Sequence, residues 1–284
     1  MKQRIKLVAS CFIIIAAICA GGCGRTELPA NTRLFLVGMG PGDPDLVSVR
    51  ALNVIRAADI VVYLEGAKEK FHDVTGGKEV IAVPYGFWRN YGKDPSALPD
   101  ADARKEREIA PIRNEFIRRV RDAAARGKVI AILDSGDPLI YGPWAWILEE
   151  FDDLEPSVVP GISCFNAAHA AMKKSPTISG STKSVILTSK DWPGKTDTIE
   201  KIAKHGASMA LFTMRADFDF FLERLKAGYP LHTPVAIVLH AGNKKKEKVI
   251  TGTLGTISEK IRDTRLPFEY LIYIGDFITY RQKR

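Results

Sequence analysis

Residues able to bind a small polar ligand are concentrated in three glycine-containing segments, 38–43, 134–138 and 160–163, each of which follows an apolar run. Glycine lets a ligand approach the backbone closely, and the aspartate and serine side chains of these segments offer hydrogen-bonding groups. The three segments therefore predict a ligand site built from backbone groups and short polar side chains.

The first segment indicates which class of ligand to expect. Gly38 and Gly40 match the start of the dinucleotide fingerprint G-x-G-x-x-G, but Asp43 occupies the position of its third glycine. Pro41 has no backbone N–H to donate to a phosphate, and Asp43 would repel one. The pattern disfavours a nicotinamide dinucleotide and favours a ligand with hydroxyl groups or a positive charge. Its alternative explanation is a simple Gly-Pro-Gly-Asp turn.

The elements that position these segments are predicted from hydrophobic spacing. Residues 33–38 are typical of a buried strand, residues 46–55 show helical spacing with Asp45 as the expected cap, and residues 59–63 return to strand character. The same order recurs with strands at 129–133 and 158–159 and helices at 141–151 and 166–172. Because the carboxyl ends of parallel strands share one edge of a sheet, we expect the three segments to meet there.

A second set of elements begins near residue 181, so the fold class expected is α/β, with two α/β domains and a ligand cleft between them. Its strands are predicted at 184–188, 209–213, 235–239, 248–252 and 270–274, and its helices at 198–205 and 218–225. The predicted divisions are a signal peptide at 1–22, a linker at 23–32, an N-terminal domain at 33–176 and a C-terminal domain at 177–284.

The first residues have the layout of a bacterial export signal. Lys2, Arg4 and Lys6 precede an apolar run at 7–20, which is shorter than the roughly 20 residues of a membrane-spanning helix. The sequence Ala-Gly-Gly-Cys at 20–23 resembles a lipobox, so Cys23 is the predicted lipidation site. We therefore expect an exported protein held on a membrane by a lipid anchor. Because Ala20 stands where leucine is preferred, simple cleavage and an uncleaved N-terminal anchor are alternatives.

Composition excludes several other classes of protein. The chain is 46% hydrophobic and 26% charged, as in ordinary globular proteins, and carries a net charge of +8, which is compatible with an acidic ligand. Outside the leader and Cys23 only Cys164 remains, so no disulfide framework is expected. The five histidines lack ligand spacing and predict no metal site. The lysine run at 244–248 is interpreted as a solvated turn, and no nucleic-acid partner is expected.

Taken together, the ordered motifs resemble one known family. The segments at 36–63, 133–142, 158–168, 210–214 and 233–253 are similar in order and approximate spacing to the tetrapyrrole methylases, over nearly the whole of 33–277. The resemblance implies a homodimer that binds S-adenosylmethionine in a cleft between two α/β domains. It also implies methyl transfer to a carbon of an acidic macrocycle of the uroporphyrinogen or precorrin type.

The resemblance assigns the cofactor contacts residue by residue. They are Pro41, Ser135, Gly136, Asp137, Ile140, Ser163, Cys164, Met214, Ala241 and Gly242. Each has a structural alternative: Asp137 could start a helix, Met214 could belong to the core, and Ser163 could cap the helix that follows it.

The catalytic group is less well defined by the sequence. The sulfonium is already a strong leaving group, so the protein mainly aligns the acceptor carbon, and a base that removes the displaced proton helps. In uroporphyrinogen methylases a strand ending in Tyr is followed by an aspartate, but the matching residue here is Leu64. Asp43 and Glu65 remain as candidate catalytic residues, and the acceptor stays open.

The aromatic and basic segment at 85–107 is expected to be a long loop before a helix at 109–125. Its residues Tyr85, Phe87, Trp88, Arg89 and Tyr91 could cover a flat macrocycle and pair with its carboxylates. A dimer contact and a lipid-facing lip are equally compatible with them.

Two further functions are compatible with the sequence. One is a lipid-anchored protein that binds a tetrapyrrole or corrinoid without chemistry, because the leader implies export while the cofactor is made in the cytoplasm. The other is a methylase of a non-tetrapyrrole acceptor, such as ribosomal RNA or the diphthamide precursor.

Overall fold

The computed structural model describes residues 28–29, 31–214, 217–268 and 270–282. The predicted signal peptide and Cys23 lie outside the described residues. Within the described part of the chain, no helix is both long enough and apolar enough to cross a membrane.

The first sheet contains five parallel strands and carries the three glycine-containing segments. Its strands are β1 (Leu34–Gly38), β2 (Ile60–Leu64), β3 (Glu79–Val83), β4 (Ile130–Asp134) and β5 (Ser157–Val159), in the order β3-β2-β4-β1-β5. Strands β1 and β4 are buried along their whole length, as expected for a parallel sheet covered on both faces. Since β1 lies between β4 and β5, the segments that follow these three strands are neighbours, as predicted.

Helices cover both faces of this sheet. They are α1 (Val49–Ala57), α2 (Lys68–Thr75), α3 (Asp100–Ala125), α4 (Ile147–Glu150) and α5 (Cys164–Met172). One layer of the core places Phe116 and Val120 of α3 against Ile130 and Ile132 of β4, and the other places Val54 and Ile55 of α1 against the opposite face.

The second sheet is mixed. Its strands are β6 (Val185–Ser189), β7 (Ser208–Phe212), β8 (Pro234–Leu239), β9 (Lys248–Thr253) and β10 (Tyr270–Ile274), in the order β6-β7-β10-β8-β9. Strands β6 and β7 are parallel, and the remaining pairs are antiparallel. Helices α6 (Ile199–Ala203), α7 (Phe218–Leu225) and α8 (Ile257–Ile261) pack against this sheet.

Helix α5 joins the two halves, because its alanines Ala167 and Ala168 share a core with Ala210, Val238 and Tyr273 of the second sheet. The predicted two-domain α/β architecture is thereby confirmed. The predicted boundary between 176 and 177 falls between α5 and β6, and its placement stays a prediction.

Several predicted boundaries are corrected. Helix α3 begins at Asp100 rather than at 109, because Asp100 and Asp102 favour a first helical turn. Asp45 does not cap α1; its cap is Ser48, whose Oγ accepts from the backbone N–H of Ala51 at 3.1 Å. Only Ile147–Glu150 of the helix predicted at 141–151 is α-helical, since Pro143 follows Gly142 and the chain turns there.

Candidate functional site

The site is built on the contact of three glycines at neighbouring strand ends. A Cβ atom added to Gly161 would lie 2.1 Å from the carbonyl oxygen of Gly136 and 2.9 Å from Cα of Gly38. A Cβ atom on Gly38 would lie 2.4 Å from the backbone nitrogen of Gly161. No side chain fits at Gly38 or Gly161, so glycine is required at these two positions for packing of backbone against backbone.

Hydrogen bonds fix the first two segments to each other. Gly40 and Gly136 form an isolated antiparallel bridge, with N–H to oxygen distances of 3.3 and 2.8 Å. The N–H of Met39 also donates to the backbone oxygen of Asp134 at 2.8 Å. Because both chains are held by backbone groups, the ends of β1 and β4 form a rigid edge.

The first segment is also attached to the second domain. The N–H of Asp43 donates to the carbonyl of Gly242 at 2.9 Å, and the Asp43 carboxylate accepts from the N–H of Lys244 at 2.9 Å. The Lys244 ammonium pairs with Asp45, and this contact lowers the pKa of the Asp45 carboxyl. Asp43 therefore links the two domains through hydrogen bonds. Its carboxylate accepts one of these bonds, from Lys244, and does not line the cavity described next.

A cavity of about 290 Å³ lies between the two sheets at this edge. Seven of the ten predicted cofactor contacts line it: Pro41, Ser135, Gly136, Ile140, Cys164, Met214 and Ala241. Loops of the first domain and strand ends of the second thus converge on one mostly apolar pocket, as is common for cofactor sites.

The other three predicted contacts have structural roles and do not line the cavity. The Asp137 carboxylate accepts from the N–H of Leu139 at 2.9 Å, and Ser163 caps α5 by accepting from the N–H of Phe165 at 3.2 Å. Gly242 has a φ of +83°, and a Cβ atom there would lie 2.8 Å from the side chain of Leu46. Their assignment to the cofactor stays a prediction.

The two predicted catalytic candidates are not brought to the cavity. Strand β2 ends at Leu64, which lines the cavity, while Glu65 is exposed in the turn that follows. Asp43 is held by Lys244, as described above.

The predicted aromatic segment divides into a cavity wall and a core. Tyr85 and Trp88 line the cavity with ring centroids 5.0 Å apart, and the Arg89 guanidinium lies 5.7 Å from the Tyr85 centroid. Phe87 is fully buried, whereas Tyr91 packs 4.7 Å from Trp146. The Tyr91 hydroxyl donates to Glu150 at 3.0 Å, and burial together with this bond raises the pKa of Tyr91.

Phe268 of the second domain completes the mouth of the cavity. Its ring meets Tyr85 edge-on at a centroid distance of 6.5 Å, so aromatic side chains of both domains are in contact at the cavity. Sequence reasoning missed Phe268, because no local pattern connects it to Tyr85.

Other lining residues were also missed by sequence reasoning. They are Asp134, Tyr141, Pro143, Phe212, Thr213, Val238, His240, Tyr270 and Leu271. Asp134, Phe212 and Thr213 could have been found from their places at or just beyond strand ends. The Tyr141 ring packs 4.5 Å from Phe212, and burial raises the pKa of Tyr141.

Backbone strain is concentrated around the cavity. Tyr141, Met214 and His240 all line it with positive φ angles of 59°, 48° and 48°. Non-glycine residues in this region cost free energy, and such residues cluster at functional sites.

No group of three or more His, Cys, Asp or Glu side chains able to hold a metal ion occurs among the described residues.

The chain is similar to known methyltransferases over most of its length. The chain is 29% identical over 260 residues to the cobalt-precorrin-4 C(11)-methyltransferase of Methanocaldococcus jannaschii, covering 87% of this chain and 89% of that relative. Among solved structures, a cobalt-precorrin-4 methyltransferase of cobalamin biosynthesis superposes with a TM-score of 0.69 and 25% identity, covering 88% of this chain and 98% of the other.

The uroporphyrin-III C-methyltransferase of Thermus thermophilus, solved with S-adenosylhomocysteine, shares the fold with a TM-score of 0.62 and 20% identity, covering 87% of this chain and 99% of the other. The family model of the tetrapyrrole (corrin/porphyrin) methylases matches residues 33–258. The chain therefore belongs to the tetrapyrrole methylase family.

Proposed function

We propose that this protein is an S-adenosylmethionine-dependent methyltransferase that methylates a carbon of a tetrapyrrole macrocycle. The observation that carries the proposal is the cavity at the junction of the two domains, where seven residues assigned to the cofactor from the sequence converge. The relatives that match over most of their length are named as methyltransferases of this chemistry.

The lining fits the cofactor that the family implies. At Gly136 an added Cβ atom would find no atom closer than 3.9 Å, so the space beside it is open. Gly136 lines the cavity with a φ of +79°, a backbone conformation that favours glycine. Ile140 and Met214 present partly exposed apolar side chains that suit an adenine ring, and Ser135 offers a hydroxyl to polar groups. When bound, the cofactor would supply an activated methyl group. The lining residues would hold it and exclude water.

The macrocycle is proposed to occupy the mouth of the cavity. A volume of about 290 Å³ lies just below the roughly 300–1,000 Å³ usual for ligand sites, so a cofactor would fill it. Tyr85, Trp88 and Phe268 offer aromatic rings at the opening, packed edge-on to one another, and Arg89 lies beside Tyr85 to pair with a carboxylate.

Cofactor binding is tested with two adjacent substitutions in the full chain. Ile140 lines the cavity and Leu139 does not, although both side chains are exposed and apolar. We expect Ile140→Trp to fill the cavity and weaken S-adenosylmethionine binding at least tenfold by calorimetry, with Leu139→Trp as the control that binds like the native chain. A folded native chain that shows no binding would refute the proposal.

Catalysis is distinguished from simple binding by a transfer assay. The native chain is incubated with methyl-labelled S-adenosylmethionine and uroporphyrinogen III or cobalt-precorrin-4, and label in the macrocycle is measured. Binding of macrocycle without transfer would favour the non-catalytic protein, and transfer to RNA fragments alone would favour another acceptor.

We also propose that the protein is a homodimer attached to a membrane through a lipid on Cys23, facing the periplasm or the cell surface. The dimer is supported by the family resemblance, and the anchor by the basic and apolar leader that precedes the Ala-Gly-Gly-Cys sequence. Light scattering measures the oligomeric state. Membrane fractionation that gives the same result for Cys23→Ser as for the native chain would refute the lipid anchor.

A further inference from the structure

The cavity contains one carboxylate among the described residues that line it, and that carboxylate belongs to Asp134. The residue is the last of β4 and is only 5% exposed. Buried aspartates are uncommon in proteins, since an ionised carboxylate loses its hydration on burial. Asp134 therefore places an acidic group at the edge of a largely apolar cavity.

The backbone of Asp134 is held rigidly. Its Cα pairs with that of Gly38 in the sheet, and its carbonyl accepts from the N–H of Met39 at 2.8 Å. One carboxylate oxygen packs over Gly142, where an added Cβ atom would lie 2.5 Å from Oδ2. The same Cβ atom would lie closer still, at 2.2 Å, to the backbone oxygen of Pro138, so the turn after β4 leaves no room for a side chain beside the carboxylate.

Leu64 lies beside Asp134 on the neighbouring strand. Strands β2 and β4 are parallel and pair Val62 with Ile132, so Leu64 and Asp134 each stand two residues further along and share one face. Adjacent strands are roughly 4.8 Å apart, and Leu64 and Asp134 are both residues of the cavity lining. A carboxylate at position 64 of β2 would therefore lie close to the place of the Asp134 carboxylate on β4.

We propose that Asp134 is the catalytic residue that accepts the proton released on methylation, an inference that rests on the proposed function. A new bond forms between the acceptor carbon and the methyl carbon as the bond from sulfur to methyl breaks, and that electron pair stays on sulfur. The macrocycle becomes cationic and loses a proton to the Asp134 carboxylate, which restores its neutral π-system. No oxidant or reductant is required.

The phenols of the lining are less suited to accept this proton. Phenols have an ordinary pKa of about 10 and are protonated near neutral pH, and burial raises the pKa of Tyr141 and of Tyr270 further. A carboxylate beside a developing cation also stabilises that charge in a cavity of low polarity.

The first test replaces the carboxylate with its isosteric amide in the full chain. We expect Asp134→Asn to lower kcat about 100-fold or more with the macrocycle on which the native chain is active, because general bases contribute on that order. The dissociation constant for S-adenosylmethionine, measured by calorimetry, should stay within about threefold of the native value, because the proposed partner of Asp134 is the acceptor.

The matched control is Asp59→Asn, which removes a carboxylate from the opposite end of the same two strands. Asp59 accepts from the N–H of Val129 at 2.8 Å and lies away from the cavity. We expect its kcat to equal that of the native chain. A large rise in the cofactor dissociation constant in Asp134→Asn would assign Asp134 to cofactor binding instead and overturn the inference.

The second test moves the carboxylate to the neighbouring strand. In the Asp134→Asn background, Leu64→Asp should raise kcat at least tenfold above that of Asp134→Asn alone, whereas Leu64→Asn should not raise it. A purely structural role for Asp134 would not be restored from another strand, so absence of rescue would overturn the inference.

Failure of the two proposals can be told apart. Turnover that is unchanged by Asp134→Asn would overturn the assignment of Asp134 alone. The same conclusion would follow if turnover were lost only in His240→Gln, which removes an imidazole of the cavity lining that could accept the proton instead. A native chain that transfers no methyl group to uroporphyrinogen III or to cobalt-precorrin-4 would overturn the proposed function and this inference with it.

Discussion

The contact of Gly38, Gly136 and Gly161 determines how closely the ends of β4, β1 and β5 approach. A Cβ atom on Gly161 would overlap the carbonyl of Gly136, and backbone atoms cannot move aside as a flexible side chain can. We expect Gly161→Ala to lower the free energy of unfolding by about 2 to 4 kcal/mol, measured by urea denaturation. It should also weaken S-adenosylmethionine binding.

Gly76→Ala provides the control at this scale. Gly76 has a φ of −51° and no atom within 4 Å of an added Cβ, so alanine should change stability by no more than about 0.5 kcal/mol. Equal loss of stability in the two variants would contradict the argument from packing.

Individual residues of the site were only partly predictable. The glycine-containing segments were located from the sequence, yet Gly38 and Gly161 turned out to pack against backbone rather than against a ligand. The structural alternatives for Asp137 and Ser163 match the hydrogen bonds observed. A hydrogen bond of this kind depends on φ and ψ at the loop, which residue type alone does not specify.

At the scale of elements, helix α3 holds the aromatic segment in place. Arg113 donates to the carbonyl of Phe87 at 3.1 Å and pairs with Glu106, and both charged side chains are buried. Phe87 packs between α3 and the residues before α4, with its ring centroid 5.2 Å from that of Phe116. By holding Phe87, the Arg113–Glu106 pair positions Tyr85, two residues earlier in the chain, at the mouth of the cavity.

Removing one partner of this buried pair should have a large effect. We expect Glu106→Ala to destabilise the fold by about 3 kcal/mol, because the Arg113 charge is left without its counterion. The KM for the macrocycle should rise more than the cofactor dissociation constant, since Tyr85 and Trp88 face the opening. Glu115→Ala, which breaks an exposed pair with Arg118 on the same helix, should leave both the unfolding midpoint and KM unchanged.

Strand β3 (Glu79–Val83), which is half exposed, was not predicted, whereas the other strands of the described residues were predicted to within one or two residues because buried apolar runs are local signals. The start of α3 was missed although Asp100 and Asp102 are a local signal for it. The packing of residues 85–91 was not predicted, because it depends on contacts between distant residues. Arg113 and Phe87 are 26 positions apart, and the spacing of the predicted loop contains no sign that they meet.

At the scale of the whole molecule, α5 belongs to the first domain but packs on the second sheet. His169 of α5 lies in this junction, with its ring centroid 4.2 Å from Phe165 and 4.9 Å from Tyr273. Its Nε2 is buried and has no hydrogen-bond partner within the described ranges. Burial lowers the pKa of His169 to about 4.

This lowered pKa makes the junction sensitive to acid. The unfolded chain takes up a proton on His169 near its ordinary pKa of about 6.5, whereas the folded chain resists protonation down to about pH 4. The contribution to stability is therefore complete above pH 6.5 and is lost as the pH falls towards 4. We expect the native unfolding free energy, from urea titrations at pH 7.5, 5.5 and 4.5, to fall more steeply than that of His169→Phe.

The substitution of an exposed histidine separates this effect from general acid destabilisation. His205 lies on the surface of the second domain, so His205→Phe should keep the native dependence on pH. If His169→Phe also kept it, the junction would not be where the proton acts. A smaller pH dependence in His169→Phe alone would show that protonation of His169, at the junction that both domains share, destabilises the fold.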